Sequence, residues 1–274
     1  MRARGFTLVE LAVVLAIVAL LLSTMLYTLS AQTDQRNFAD TRLRLEQARD
    51  ALLSYAIVKG RLPCPARYTD DASHTQGLES FCTGEAPAAC GSETLTEQAH
   101  GTCFAPYGGF VPAATLGLGN VDALGFAVDA WGNRLRYAVS RQSAPGQCAT
   151  TPPDILTPLY TSKNNLKTYG IACQPNDLIV CRSATGITST ECGPAINAIM
   201  SSSTVVAIVF STGKNGAEPT TGKTDELANL NADRVFVWHT PTPSTAANGE
   251  FDDQLLWITV GELYGKLVTA GVLP

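Results

Sequence analysis

Met1-Arg2-Ala3-Arg4-Gly5-Phe6-Thr7-Leu8-Val9-Glu10, followed by an apolar run to Leu29, is the stretch on which the reading of this chain turns. Between Phe6 and Leu29 the ionisable side chains are Glu10 and Tyr27. At about 1.5 Å per residue, a helix from Leu8 to Leu29 reaches about 33 Å, enough to span a bilayer. Arg2 and Arg4 precede it and the next cation is Arg36. That asymmetry keeps the N-terminus cytoplasmic and sends the rest of the chain outside. A secretory signal peptide has the same basic start and apolar centre. Leu29-Ser30-Ala31, however, puts leucine where such a cleavage site needs a small residue. A plain membrane anchor is the other ordinary reading. Neither accounts for Glu10, a carboxylate three residues into the span, which is costly in lipid without a cationic partner.

Proteolysis would create that partner. A cut between Gly5 and Phe6 gives Phe6 an α-amino group, and Glu10 of one subunit can pair with the Phe6 amine of its neighbour. At about 4 Å and an effective dielectric near 20 the attraction is about 4 kcal/mol, much of it offset by desolvation. What remains selects one register, because a mis-registered helix leaves both charges unpaired. This is a physical route to the staggered packing of helices in a fibre.

Gly5-Phe6-Thr7-Leu8-Val9-Glu10, with a short basic leader before it and an apolar helix after it, resembles the N-terminal motif of type IV prepilins and pseudopilins. The resemblance implies that a membrane prepilin peptidase cuts after Gly5 and methylates Phe6, and that Glu10 is the assembly residue. It also implies other pilin or pseudopilin subunits, an inner-membrane assembly platform and membrane lipid as partners.

Beyond the span, Phe38, Leu45, Ala48, Leu52 and Tyr55 fall on one helical face, with most of the charges elsewhere. Gly60 and Pro63 end this helix. The expected organisation is a leader (residues 1–5), a transmembrane half-helix (6–30), an amphipathic half-helix (31–58) and a periplasmic head (59–274). Residues 66–120, rich in Gly, Pro, Ser, Thr and Cys, read as a long loop. Strands are expected at Phe126–Val128, Leu135–Val139, Leu178–Cys181, Val205–Phe210, Val235–His239 and Leu255–Val260. A hairpin turn is expected at Asp129–Asn133, and a C-terminal helix at Glu262–Ala270, closed by Gly271. Residues 141–175 and 183–203 read as insertions. The expected fold is α+β, a long helix packed on a mainly antiparallel sheet.

The eight cysteines are Cys64, Cys82, Cys90, Cys103, Cys148, Cys173, Cys181 and Cys192, with no CxxC pair. Disulfides, free buried thiols and metal coordination are the three readings. Disulfides imply an oxidising compartment. Cys82 with Cys90, and Cys181 with Cys192, are the least costly closures, and two bridges among Cys64, Cys82, Cys90 and Cys103 would hold the long loop.

In the head, Asp129-Ala130-Trp131-Gly132-Asn133-Arg134-Leu135-Arg136-Tyr137 is similar to an Asp-Pro-Trp-Gly-Asn-x-x-x-Tyr segment of type II secretion major pseudopilins. Phe210-Ser211-Thr212-Gly213-Lys214-Asn215-Gly216 resembles their Ser-x-Gly-x-Asp-Gly loop, with Asn215 at the acidic position. Asp252-Asp253 and Trp257 match a later Asp-Asp…Trp segment. In those proteins these regions form a calcium site, so the resemblance implies Ca2+ ligands among Ser211, Asn215, Asp252 and Asp253, a hard-cation set. The ordinary reading is a β-turn beside a solvated acid pair.

Of 274 residues, 45% are hydrophobic and 16% charged, below the share usual for soluble domains, and the formal charge is −5. No basic stripe is present, so no nucleic acid partner is expected. His74, His100 and His239 are dispersed, and no nucleophile, P-loop or dinucleotide motif is present. The chain is not expected to be an enzyme. Its length suits a minor subunit of a pilus or secretion pseudopilus, stored in the inner membrane and assembled into a periplasmic or cell-surface filament. The alternative is a filament-tip adhesin or substrate-binding module that uses the disulfide-rich loops.

Overall fold

The computed structural model describes residues 7–67, 77–84, 90–141, 158–216 and 224–273, and of residues 22–31 and 171 the backbone alone. The chain divides into two compact units, Met1–Asp40 and Thr41–Pro274. One helix, α1 (Leu8–Lys59), contributes to both. It stops where expected: Gly60 takes a left-handed φ of 72°, and its N–H closes on the Ala56 carbonyl at 2.8 Å.

Among the described residues no helix is long and apolar enough to cross a membrane. The described side chains from Leu8 to Leu21 nevertheless form an apolar surface exposed on every side of the helix, from 44% at Val18 to 86% at Leu8.

The head is built on a four-stranded antiparallel sheet in the order β3 (Gly109–Phe110), β4 (Arg136–Val139), β7 (Val205–Ser211), β9 (Gln254–Thr259). Side-chain alternation splits its residues between two cores. Tyr137, Val139, Ala207, Val209 and Ile258 join Leu45, Ala48 and Leu52 of α1. Ala138, Ile208, Phe210 and Leu255 join Leu178, Val180 and Phe236 on the opposite face. Central β7 is therefore apolar from Val205 to Phe210, and every one of its residues, Ser211 included, is buried. The second face is covered by a three-stranded sheet in the order β6 (Ala198–Met200), β5 (Ile179–Cys181), β8 (Val235–Val237), with β5 and β8 parallel. Helix α5 (Val260–Thr269) follows β9 directly, capped by Thr259 at its start and followed by left-handed Gly271. The α+β class and the antiparallel main sheet agree with the sequence reading.

Three expectations need correction. Residues 66–120 are not one long loop: they carry the ribbon of β1 (Phe81–Cys82) and β2 (Glu93–Thr94), strand β3 and the short helix α2 (Ala113–Leu116). The supposed insertion 183–203 supplies β6, and 141–175 contains helix α3 (Lys163–Tyr169). Phe126–Val128 is not a ladder strand but takes part in isolated bridges, Val121 with Ala127 and Val128 with Arg134.

Disulfides join Cys64 to Cys103, Cys82 to Cys90 and Cys181 to Cys192. Cys173 is also disulfide-bonded, and Cys148 lies outside the described residues. The Cys64 bridge surrounds a charged hub. Arg61, its side chain 2% exposed, donates to both oxygens of Glu79 at 2.8 Å and to Glu97 at 2.9 Å. Glu79 also accepts from Tyr55 Oη and Cys64 N–H. The hydrogen bond from Arg61 holds the Glu97 carboxyl below its usual range. The hub fixes the exit from α1 against the loop that follows.

Candidate functional site

Two sites follow from the motifs. At the N-terminus, Gly5 and Phe6 lie outside the described residues, but Glu10 does not. Its Oε2 accepts from the N–H and the hydroxyl of Thr7, both at 2.9 Å, and Thr7 Oγ1 accepts from the Glu10 N–H at 3.2 Å. This is a capping box: a threonine at the helix start and a glutamate three residues on satisfy each other's orphan donors. The motif thus carries a local instruction, starting α1 at Leu8, within the same residues that the resemblance assigns to assembly.

In the head, the two motif segments meet. Asp129 Oδ1 accepts from the N–H groups of Trp131 and Asn133, closing the hairpin turn. Its Oδ2 accepts from Ser211 Oγ at 2.6 Å, and Asn133 Nδ2 donates to the Gly213 carbonyl at 2.6 Å. The same turn is tied to α1, with Arg44 donating to the Val128 and Asp129 carbonyls and Thr41 Oγ1 accepting from Ala130 N–H. Burial raises the Asp129 carboxyl above its ordinary range, against these hydrogen bonds, which lower it.

Beyond that turn lies a cluster of carboxylates. Glu226, Asp252 and Asp253 are all buried, and each offers an oxygen within 4.8 Å of the others. Glu226 belongs to helix α4 (Thr224–Leu230). Its Oε1 accepts from Asn215 Nδ2 at 3.2 Å and from the Asp252 N–H at 3.1 Å. Asp252 Oδ2 accepts from Lys214 N–H, and Asp253 Oδ2 from Asn229 Nδ2. Burial, and then the charges of Glu226 and Asp252, push the Asp253 carboxyl well above its usual value, while the Asn229 hydrogen bond opposes them. Left-handed Gly213 lies against Asp252, and a Cβ there would collide with that carboxylate. The donor set, three buried carboxylates with the Asn215 side chain beside them, fits a hard divalent cation such as Ca2+.

Of the residues singled out from sequence, Asn215, Asp252 and Asp253 are brought together, whereas the Ser211 hydroxyl is engaged by Asp129. Glu226 was missed. It sits in the stretch between the loop at 210–216 and Asp252-Asp253, and its adjacency to Asp225 was the available signal. His100 and His239 are far apart in function: the first accepts the Thr102 N–H at its Nδ1, the second pairs with Asp225.

A family model for the prokaryotic N-terminal methylation motif matches residues 1–26. Neither a curated protein nor a solved structure matches the chain. The chain therefore carries a prepilin-type N-terminus, of the kind found on type IV pilins and pseudopilins. The match ends well before the head.

Proposed function

We propose that this chain is a pilin-like or pseudopilin subunit, made as an inner-membrane prepilin with its N-terminus cytoplasmic. It is cut after Gly5 and methylated at Phe6 by a prepilin peptidase, then assembled with other subunits, by a membrane platform, into a periplasmic or surface filament. The observation that carries this reading is the methylation motif at residues 1–26 joined to a helix whose leucines and valines stand exposed from Leu8 to Leu21. Such a surface needs lipid or neighbouring helices to cover it. In the membrane, lipid covers it; in the filament, other copies of the same helix do. Glu10 then pairs with a neighbour's methylated N-terminus. A chain of this length fits a minor subunit better than a major one.

Intact mass and N-terminal sequencing of membrane-extracted protein, with and without an active prepilin peptidase, test the proposal. The expected product begins at N-methylated Phe6 and appears only with the enzyme. A start near residue 32, or an uncut Met1 in both cases, would overturn it.

For the head we propose that Glu226, Asp252 and Asp253 hold a divalent cation, with Asn215 beside them. The cation would supply positive charge that lets three buried carboxylates stay ionised, and would tie α4 to the start of β9. This supports the secretion-pseudopilin reading of the head.

A further inference from the structure

We infer that a groove between α1 and β9 is a binding site for a neutral saccharide. Its volume is about 520 Å³, inside the range of about 300–1,000 Å³ usual for small-molecule sites. Its two walls come from different elements and differ in chemistry. Arg42, Glu46, Arg49 and Asp50 of α1 form one wall. Their spacing puts them on a single helical face. Trp238, just after β8, and Leu256 and Trp257 of β9 form the other. Arg49 ties the walls together. It donates through Nη2 to both carboxylate oxygens of Glu262, in α5, and through Nε to the Trp257 carbonyl at 3.3 Å. The groove is thus built into the fold.

The helix wall selects against a charged ligand. Its charges alternate in sign along α1, from Arg42 through Glu46 and Arg49 to Asp50. Arg42 gives Nε to Glu46 at 2.9 Å, and both side chains remain about half exposed, at 50% and 49%. Arg49 is already paired with Glu262. Asp50 is exposed and joins no ion pair among the described residues. An anion would meet Glu46 and Asp50; a cation would meet Arg42 and Arg49. A hydroxyl meets no such conflict, because it donates to a carboxylate and accepts from a guanidinium. Neighbouring hydroxyls on one ligand can therefore bond Asp50 and the remaining N–H groups of Arg42 together, with charge assistance on both sides.

The tryptophan wall requires an apolar face on the same ligand. Trp238 and Trp257 are half-buried, with ring centroids 5.7 Å apart and planes at 84°. An indole face is negative at its centre and attracts the positive edge of C–H groups. A linear polyol has hydroxyls and no such face. A hydrocarbon chain has no group for the helix wall. A pyranose ring has both, C–H groups on one side and hydroxyls around its rim. None of the lining residues lies within the loops closed by Cys64–Cys103, Cys82–Cys90 or Cys181–Cys192. The site also stands independently of the N-terminal motif and of the acid cluster.

The test uses the full chain in a polyoxyethylene detergent, which carries no sugar. Lactose, maltose, cellobiose and diacetylchitobiose are titrated in while the indole N–H signals of the three tryptophans are followed by NMR. At least one of these disaccharides is expected to move the Trp238 and Trp257 signals saturably at millimolar concentration and to leave Trp131 in place. Sorbitol should move none of them. Neither glucosamine nor glucuronate should compete with the bound disaccharide better than glucose does. Asp50→Ala, a change at an exposed position, should weaken binding about tenfold, the scale of a charge-assisted hydrogen bond, with the unfolding midpoint of the head unchanged. The inference is overturned if none of the four disaccharides gives a saturable shift, if Trp131 moves as much as the other two, if either charged sugar outcompetes glucose, or if Asp50→Ala binds as tightly as the parent chain.

Discussion

The two ends of α1 are made from the same residue types and meet opposite fates. Leu15 and Leu20 are 60% and 68% exposed, whereas Leu45 and Leu52, on the same helix, are fully buried. The difference lies in what the sequence places between the leucines. From Thr41 onward, arginines and acids occupy the faces that the apolar stripe leaves, and the stripe finds the sheet. From Leu8 to Leu21 there is no polar face at all beyond Glu10. A stripe is the instruction to pack inside one's own domain; an unbroken apolar cylinder is the instruction to be covered by something else. In the proposed function one helix would serve two solvents, and the two halves should then respond to substitution independently.

The largest effect is expected at the buried end. Arg61→Met leaves the buried Glu79 without its cation and should destabilise the head by about 3–5 kcal/mol in denaturant unfolding. The double replacement Arg61→Met with Glu79→Leu should recover much of that loss, because no charge is then stranded. Maturation at Gly5 should proceed in both, provided the protein accumulates. A cleavage defect in the Arg61 variant alone would couple the two regions and break the comparison.

Next in size is a matched pair of truncations. Leu52→Ala opens a cavity in the core beneath the sheet and should cost about 2–5 kcal/mol. Leu15→Ala should leave the unfolding of the head unchanged in detergent, yet reduce incorporation into filaments, measured by shearing and immunoblotting. Equal effects of the two on head stability would mean that the apolar cylinder also packs on the head.

How much of this was legible beforehand depends on whether the signal was local. The capping box, the end of α1 at Gly60, the turn at Asp129–Asn133 and the short-range pairs Cys82–Cys90 and Cys181–Cys192 are all written in neighbouring residues. The second sheet was not legible. Leu178–Cys181 and Val235–His239 each read as strands, but nothing in either states that β5 and β8 lie parallel across more than fifty intervening residues. Strand β6 is a short apolar run, Ala198–Met200, with Ala198 exposed and Ile199 and Met200 half-buried, and it lies within the stretch 183–203 that reads as an insertion. Glu226 was hidden for the same reason: its partners, Asp252 and Asp253, are distant in sequence, and only the fold of α4 brings them together.

That acid cluster gives the head its own dependence on solution conditions. The fold prefers Asp253 protonated, since its carboxyl is raised by burial and by Glu226 and Asp252. Its contribution to stability is therefore complete below the ordinary carboxylate range and is lost as pH rises through the folded-state titration. Ca2+ should reverse the loss, adding about 2.7 kcal/mol at a hundredfold excess over its dissociation constant, read as a rise in melting temperature at neutral pH. Glu226→Gln and Asp253→Asn should each remove the Ca2+ effect, and Asp253→Asn should flatten the pH dependence as well. An unchanged melting temperature in Ca2+ would leave the cluster as a protonated structural group and restrict the proposal to the N-terminus.

The smallest expected effect concerns Thr7, and it separates two roles that Glu10 holds at once. Its carboxylate caps α1 through Thr7 and, in the proposed filament, pairs with a neighbour's amine. Thr7→Ala removes the cap and should cost roughly 1 kcal/mol of local helix stability, seen as fraying of the first turn. Glu10→Gln keeps a group able to accept from Thr7 but removes the charge. If assembly depends on the charge, Glu10→Gln should abolish incorporation while Thr7→Ala assembles nearly as well as the parent chain. If assembly depends only on an ordered first turn, the ranking reverses, because glutamine still caps and alanine at residue 7 does not. The pair of variants therefore distinguishes a helix that is merely started correctly from one that is placed in register by an ion pair between subunits.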